Sequence, residues 1–191
     1  MKFLICALSV VFLSGCGVQS IPQSKNNVDA AMAEVTNQYK RRSDLIPNLV
    51  ATVQGYAKQE KEVLVGVTEA RAKATSIQID PTKVTPEKLA QFQAAQGQLS
   101  QALGRLMVVT ENYPQLKSDA GFRDLQAQLE GTENRITIAR QRHIESIKEF
   151  NNLITVPPTS FTNSIIYHHP AMPQWGAEVT EAEKKAPEVK F

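Results

Sequence analysis

A line of side chains in residues 44–77 leaves few folds open to this chain. The stretch reads DLIPNLVATVQGYAKQEKEVLVGVTEARAKATSI, and the line advances in alternating steps of three and four. It runs Ile46, Leu49, Val53, Tyr56, Glu60, Val63, Val67, Ala70, Ala74 and Ile77, and only Glu60 interrupts its apolar character. Such a stripe lies along one face of an α-helix packed at a shallow angle against its neighbours. At ~1.5 Å per residue the helix would run roughly 50 Å. A stripe that long and narrow has to be covered by other long helices.

The rest of the chain supplies them. Upstream, Val28, Ala31, Met32, Val35 and Tyr39 share a face, with Asn26 or Asn27 placed to cap it and Lys40, Arg41 and Arg42 near its end. The basic triplet reads as cations complementing a helix C-terminus, or as a weak contact with anionic lipid. Ser43 or Asp44 then caps the next helix, with Pro47 in its first turn; the alternative is one helix kinked at Pro47. Asp80-Pro81 signals a turn. Thr85-Pro86-Glu87 signals a helix start: a hydroxyl cap, Pro at the first position and an acid in the first turn. The third helix carries Leu89, Phe92, Gln96, Leu99, Leu103, Leu106, Thr110 and Tyr113 in the same steps. The fourth carries Phe122, Leu125, Leu129, Thr132, Ile136, Ala139, His143, Ile147, Phe150 and Leu153, and ends at Pro157-Pro158. The pattern predicts an all-α fold, an elongated antiparallel up-and-down four-helix bundle with long helices. Aromatic residues are only 6% of the chain, which suits aliphatic helix-on-helix packing better than a sandwich.

The N-terminus reads as an address. Met1-Lys2 is followed by an apolar run over residues 3–13, of signal-peptide length and too short to span a bilayer. Leu13-Ser14-Gly15-Cys16 then resembles a bacterial lipobox, cleaved before a Cys that takes a diacylglyceryl thioether. The expected division is a lipoprotein signal peptide at 1–15, a flexible tether at 16–27, the bundle at 28–156 and a Pro-containing tail at 157–191. Cys16 would be the lipid attachment site, with palmitate-type chains holding the protein in a membrane. Cys6 leaves with the signal peptide, so no disulfide is expected. Gly17 stands where an Asp would resemble an inner-membrane retention signal. The expected location is the bacterial cell envelope, extracytoplasmic, and the outer membrane in a cell that has one.

Three segments carry a family resemblance. KRRSDLIPNLVATVQGYAKQEKEVLVGVTEARAKA, SQALGRLMVVTENYPQLK and FRDLQAQLEGTENRITIARQRHIESIKEFN resemble the signatures of the LemA family, with LEGTENRI the most specific part. The closing APEVKF resembles that family's terminal motif. The resemblance implies an up-and-down helical bundle at a membrane and brings little mechanism. Many LemA-like proteins have an N-terminal membrane-spanning helix where this chain has its lipobox.

Motifs for catalysis are missing. The chain has no CxxC, HExxH, GxGxxG or P-loop. A di-iron bundle needs Glu-x-x-His pairs, yet Arg140 stands three residues before His143. His168-His169 is a weak metal pair. No catalytic residue, metal ligand or cofactor is therefore expected. With a net charge of +2 and no concentrated basic face, nucleic acid is not an expected partner either. Two polar candidates remain. Glu60 and Arg105, counted back from the Asp80-Pro81 turn, could pair to fix register, or Glu60 could sit at an edge reaching water. Phe161, Ile165, Ile166, Tyr167 and Trp175 in the tail could pack back or meet a partner, with Tyr167 and Trp175 the best anchors if exposed. The function these features suggest is a non-enzymatic helical scaffold or interaction module with an envelope protein as partner. The alternative is a regulatory adaptor of an envelope membrane protease or sensor kinase.

Overall fold

The computed structural model describes the backbone of residues 2–175 and the side chains of residues 18–175. The side chain of Cys16, the charged run at 177–185 and the closing APEVKF lie outside the described residues. Among those described the chain is all-helical, with no strand: α1 (Lys2–Tyr56), α2 (Lys61–Ser76), α3 (Pro86–Thr110), α4 (Pro114–Ser118), α5 (Ala120–Thr155), α6 (Thr159–Thr162) and a π-helical turn (Asn163–Tyr167).

Two of these boundaries correct the sequence reading, and both have the same cause. The expected turn at Ser43–Pro47 is absent, and the expected tether at 16–27 is helical, with Ile21 fully buried. Proline normally stops a helix because its ring clashes with the preceding turn and it gives no N–H to the carbonyl four residues back. Here α1 runs through Pro22 and Pro47, and each orphaned carbonyl is bonded from elsewhere. The Ser43 carbonyl, facing Pro47, accepts from Arg71 Nε at 2.8 Å. The Val18 carbonyl, facing Pro22, accepts from the Tyr167 hydroxyl at 2.7 Å. An unpaired backbone acceptor is a cost that these two side chains remove.

The real break falls at residues 57–60, so the single helix expected over 44–77 is two. Gly55 has weak helix propensity, but Lys58, Gln59 and Glu60 are good helix formers, so propensity alone does not place the break. The turn is fastened by two tyrosines. Tyr56 donates its hydroxyl to Asp119 Oδ2 at 3.0 Å, and Tyr113 donates to Glu60 Oε1 at 2.8 Å. The start of α3 is as expected: the Lys88 N–H donates to Thr85 Oγ1 at 3.3 Å, with Pro86 at the first position.

The chain divides into two compact units. Residues 29–143 form one. Its core joins α1 (Ile46, Leu49, Val53), α2 (Leu64, Val67, Ala74), α3 (Ala95, Leu99, Leu106), Leu116 of α4, and Phe122 and Leu129 of α5. Residues 1–28 and 144–191 belong to the other. Its core is Ile21, Val28, Ile147, Phe150 and Ile154, with Leu153, Tyr167 and Met172 packed against it. The tail therefore packs back on its own unit. Two asparagines fix it there. Asn151 Nδ2 donates to the Met172 carbonyl and its Oδ1 accepts from the Met172 N–H, at 3.0 and 2.8 Å. Asn163 makes the same two-way bridge to His169, at 3.1 and 3.0 Å.

Candidate functional site

The most highly developed polar site is one that sequence reasoning misread. Arg42, expected at a helix end, is 2% exposed inside the 29–143 unit. A buried guanidinium must be paired or it costs several kcal/mol. Its Nη1 donates to Ser100 Oγ at 3.0 Å and to Glu133 Oε2 at 2.9 Å. Its Nη2 donates to the Gln96 carbonyl at 3.2 Å and to Gln96 Oε1 at 2.7 Å. The guanidinium carbon lies 5.0 Å from the centre of the Tyr39 ring, within cation–π range. Tyr39 meets Phe92 edge-on at 5.1 Å. Burial holds the Tyr39 hydroxyl above its ordinary pKa, against the opposing pull of Arg140 and Arg42. One side chain of α1 thus ties α3 to α5. The planar five-donor fork suits this role, since a lysine could not span the same acceptors. Arg42 Nε has no partner and the residue borders a cleft of about 330 Å³ with Glu130 and Glu133.

His143 is a second buried polar group, 2% exposed. Desolvation lowers its pKa to about 4, against an upward pull from Asp29, so it is neutral at pH 7. Neither group resembles a reacting centre. Among the described residues no three His, Cys, Asp or Glu come together in a way that could hold a metal. His168 is exposed in the left-handed region, φ 55°, while His169 stacks on Tyr167.

Each expected site residue can now be placed. Glu60 and Arg105 are not brought together: Glu60 stands at the N-cap position of α2 without a side-chain cap bond and accepts from the Tyr113 hydroxyl, while Arg105 is exposed. The one acid in the apolar line marked a helix end, not a buried pair. Glu60 raises the Tyr113 pKa through their hydrogen bond. Arg105 instead borders a groove of about 810 Å³ between α2 and α3, with Glu62, Glu69, Gln98 and Gln101. Trp175 is 7% exposed and half-buried Tyr167 donates its hydroxyl to the Val18 carbonyl, so both pack back, one of the two outcomes the sequence left open. Phe161, Ile165 and Ile166 of the tail, and Val156 just before it, are exposed.

No helix among the described residues is long and apolar enough to cross a membrane. No curated protein matches the chain. The LemA family model matches residues 31–191, and with that much of its length matched the chain belongs to the LemA family.

Proposed function

We propose that this LemA-family protein is a lipid-anchored envelope protein acting as a non-enzymatic helical interaction module. Acyl chains on Cys16 hold it at the membrane, outside the cytoplasm. One observation carries the non-enzymatic reading: among the described residues, Arg42, Glu60, Asp119 and His143 are each taken up in structure. Arg42 ties three helices, Glu60 and Asp119 fasten a turn, and His143 is buried and neutral. A catalytic site needs such groups converging on an open pocket with perturbed acids and bases. What is left open is surface, and the groove of about 810 Å³ between α2 and α3 is one concavity on it. Mixed charges there (Glu62, Glu69, Arg105) favour a weak, exchangeable protein contact that tethering in one membrane would strengthen.

A photo-crosslinking side chain at Gln101 tests this in cells. It is expected to trap a discrete envelope protein, and the product is expected to vanish with Cys16→Ala and with Glu69→Lys. Identification of a membrane protease or sensor kinase in that product would select the adaptor role. A purified protein that turned over a substrate, with one side-chain change abolishing turnover and leaving the fold intact, would overturn the proposal.

A further inference from the structure

Charge is distributed unevenly along this sequence. Asp, Glu, Lys and Arg make up 21% of the chain, yet residues 3–24 and 150–177 contain none. These two stretches are far apart in sequence and belong to the same compact unit. Ile21 packs with Phe150 and Ile154, and the Tyr167 hydroxyl bonds the Val18 carbonyl. The fold thus brings residues 18–24, which remain after cleavage before Cys16, and residues 150–175 into one place, the unit they share.

That place also carries the exposed apolar side chains. Ile165 is 75% exposed, Phe161 64%, Ile166 54%, Val156 53% and Val18 44%. The other large exposed hydrophobics, Tyr56, Val65, Val108 and Ile138, are spread over the 29–143 unit. Single exposed apolar residues need no explanation, but Val156, Phe161, Ile165 and Ile166, close together in a segment without Asp, Glu, Lys or Arg, do. Nor is this segment a loose end. Asn151 and Asn163 pin its backbone, Tyr167 stacks on His169, and Phe161 and Ile165 stand four residues apart in a helical turn. Asn151 and Asn163 are bonded inward, and Phe161, Ile165 and Ile166 face out, while Phe150, Ile154 and Trp175 are buried.

We infer that this face, centred on Phe161, Ile165 and Ile166, lies in the interfacial layer of the membrane to which Cys16 is attached. The occupant is lipid for two reasons. Val18, bonded to Tyr167, is two residues from Cys16, so the acyl chains and the face leave the protein together. The second reason is composition: residues 150–175 contain no Asp, Glu, Lys or Arg, so the segment's own sequence carries no charge that would have to enter the acyl boundary. The inference rests on the proposed anchoring, and it adds a second membrane contact to the acyl chains. A two-point attachment fixes the orientation of the unit on the membrane, which one acyl cluster at the end of a chain does not.

The test uses the full acylated chain in phosphatidylethanolamine–phosphatidylglycerol vesicles. With Cys16 blocked by lipid and Cys6 removed with the signal peptide, Ile165→Cys provides a single labelling site for a polarity-sensitive fluorophore. The emission is expected to shift to the blue on reconstitution, with quenching by aqueous iodide reduced at least about fivefold and quenching by shallow nitroxide lipids gained. A label at Val108→Cys, 70% exposed on α3, is expected to stay open to iodide. Equal iodide quenching at the two sites would overturn the inference. So would a blue shift in vesicle-free solution that grows with protein concentration, which would assign the face to a second copy. A Cys16→Ala chain made without residues 1–15, so that Ile165→Cys stays its one thiol, and held on vesicles by a hexahistidine tag and a nickel-chelating lipid, separates the two ideas. The label still enters the interface there if the face itself binds lipid, whatever becomes of the acyl anchor.

Discussion

Arg42→Ala is expected to lower the unfolding free energy by about 3–5 kcal/mol, the scale for removing one partner of a buried charged network. The substitution leaves Gln96 Oε1 and Ser100 Oγ facing the space of a side chain that was 2% exposed. Its partner Glu133 is different. That side chain is 55% exposed, so water can replace the guanidinium, and Glu133→Gln is expected to cost under about 1 kcal/mol. The contrast separates the two contributions. If the surface ion pair were what matters, both changes would cost the same. If the buried fork holds α1, α3 and α5 in register, Arg42→Ala costs severalfold more. Urea denaturation reads the difference as a shift of the midpoint at constant slope. Equal midpoints for the two variants would contradict the role assigned to Arg42.

Acid should destabilise this protein through His143 well before its carboxylates are fully protonated. The folded-state pKa is about 4 and the unfolded value is about 6.5. Below pH 6.5 the unfolded chain therefore takes up a proton that the folded chain refuses. Stability is complete above that value, falls as pH drops toward 4, and levels off below it. The full span is worth about 3 kcal/mol, with most of it gone by pH 4.5. Asp29 opposes the shift, so Asp29→Asn is expected to deepen it. Urea midpoints for wild type and His143→Leu between pH 7.5 and 4.5 isolate the effect, because the carboxylates titrate in both. Parallel curves would show that His143 carries no such penalty.

Much of this architecture can be read from spacing alone. Apart from Ala95, the buried positions of α3, Leu89, Phe92, Gln96, Leu99, Leu106 and Thr110, lie on the three-and-four line, with Leu103 on it half-buried, as do those of α5 from Phe122 to Phe150. The errors came from treating local signals as decisive. The steps Ile21, Ser24, Val28, Met32, Val35, Tyr39, Arg42, Ile46, Leu49 and Val53 pass through Pro22 and Pro47 without a slip, and all these residues are buried. The continuous stripe was the stronger evidence, and it also placed Arg42 on the packed face. What sequence could not show was the pair of distant donors, Arg71 and Tyr167, that make the prolines tolerable. Glu60 broke its stripe for a simple reason: a helix ended there. The Arg42 partners Gln96, Ser100 and Glu133 sit 54 to 91 residues away, and no local pattern names them. The uncharged stretches at 3–24 and 150–177 were visible from the start, but only the fold brings them together.

The anchoring proposal makes the plainest demand on the mature N-terminus. Intact-mass measurement of the protein from membrane and soluble fractions, beside a Cys16→Ala chain, answers it. The expected result is a membrane-bound chain beginning at Cys16 with the added mass of a diacylglyceryl thioether, and a Cys16→Ala chain that keeps its first fifteen residues and gains no lipid. A soluble protein with an unmodified Cys16, or an identical mass increment and membrane retention in the Cys16→Ala chain, would contradict it.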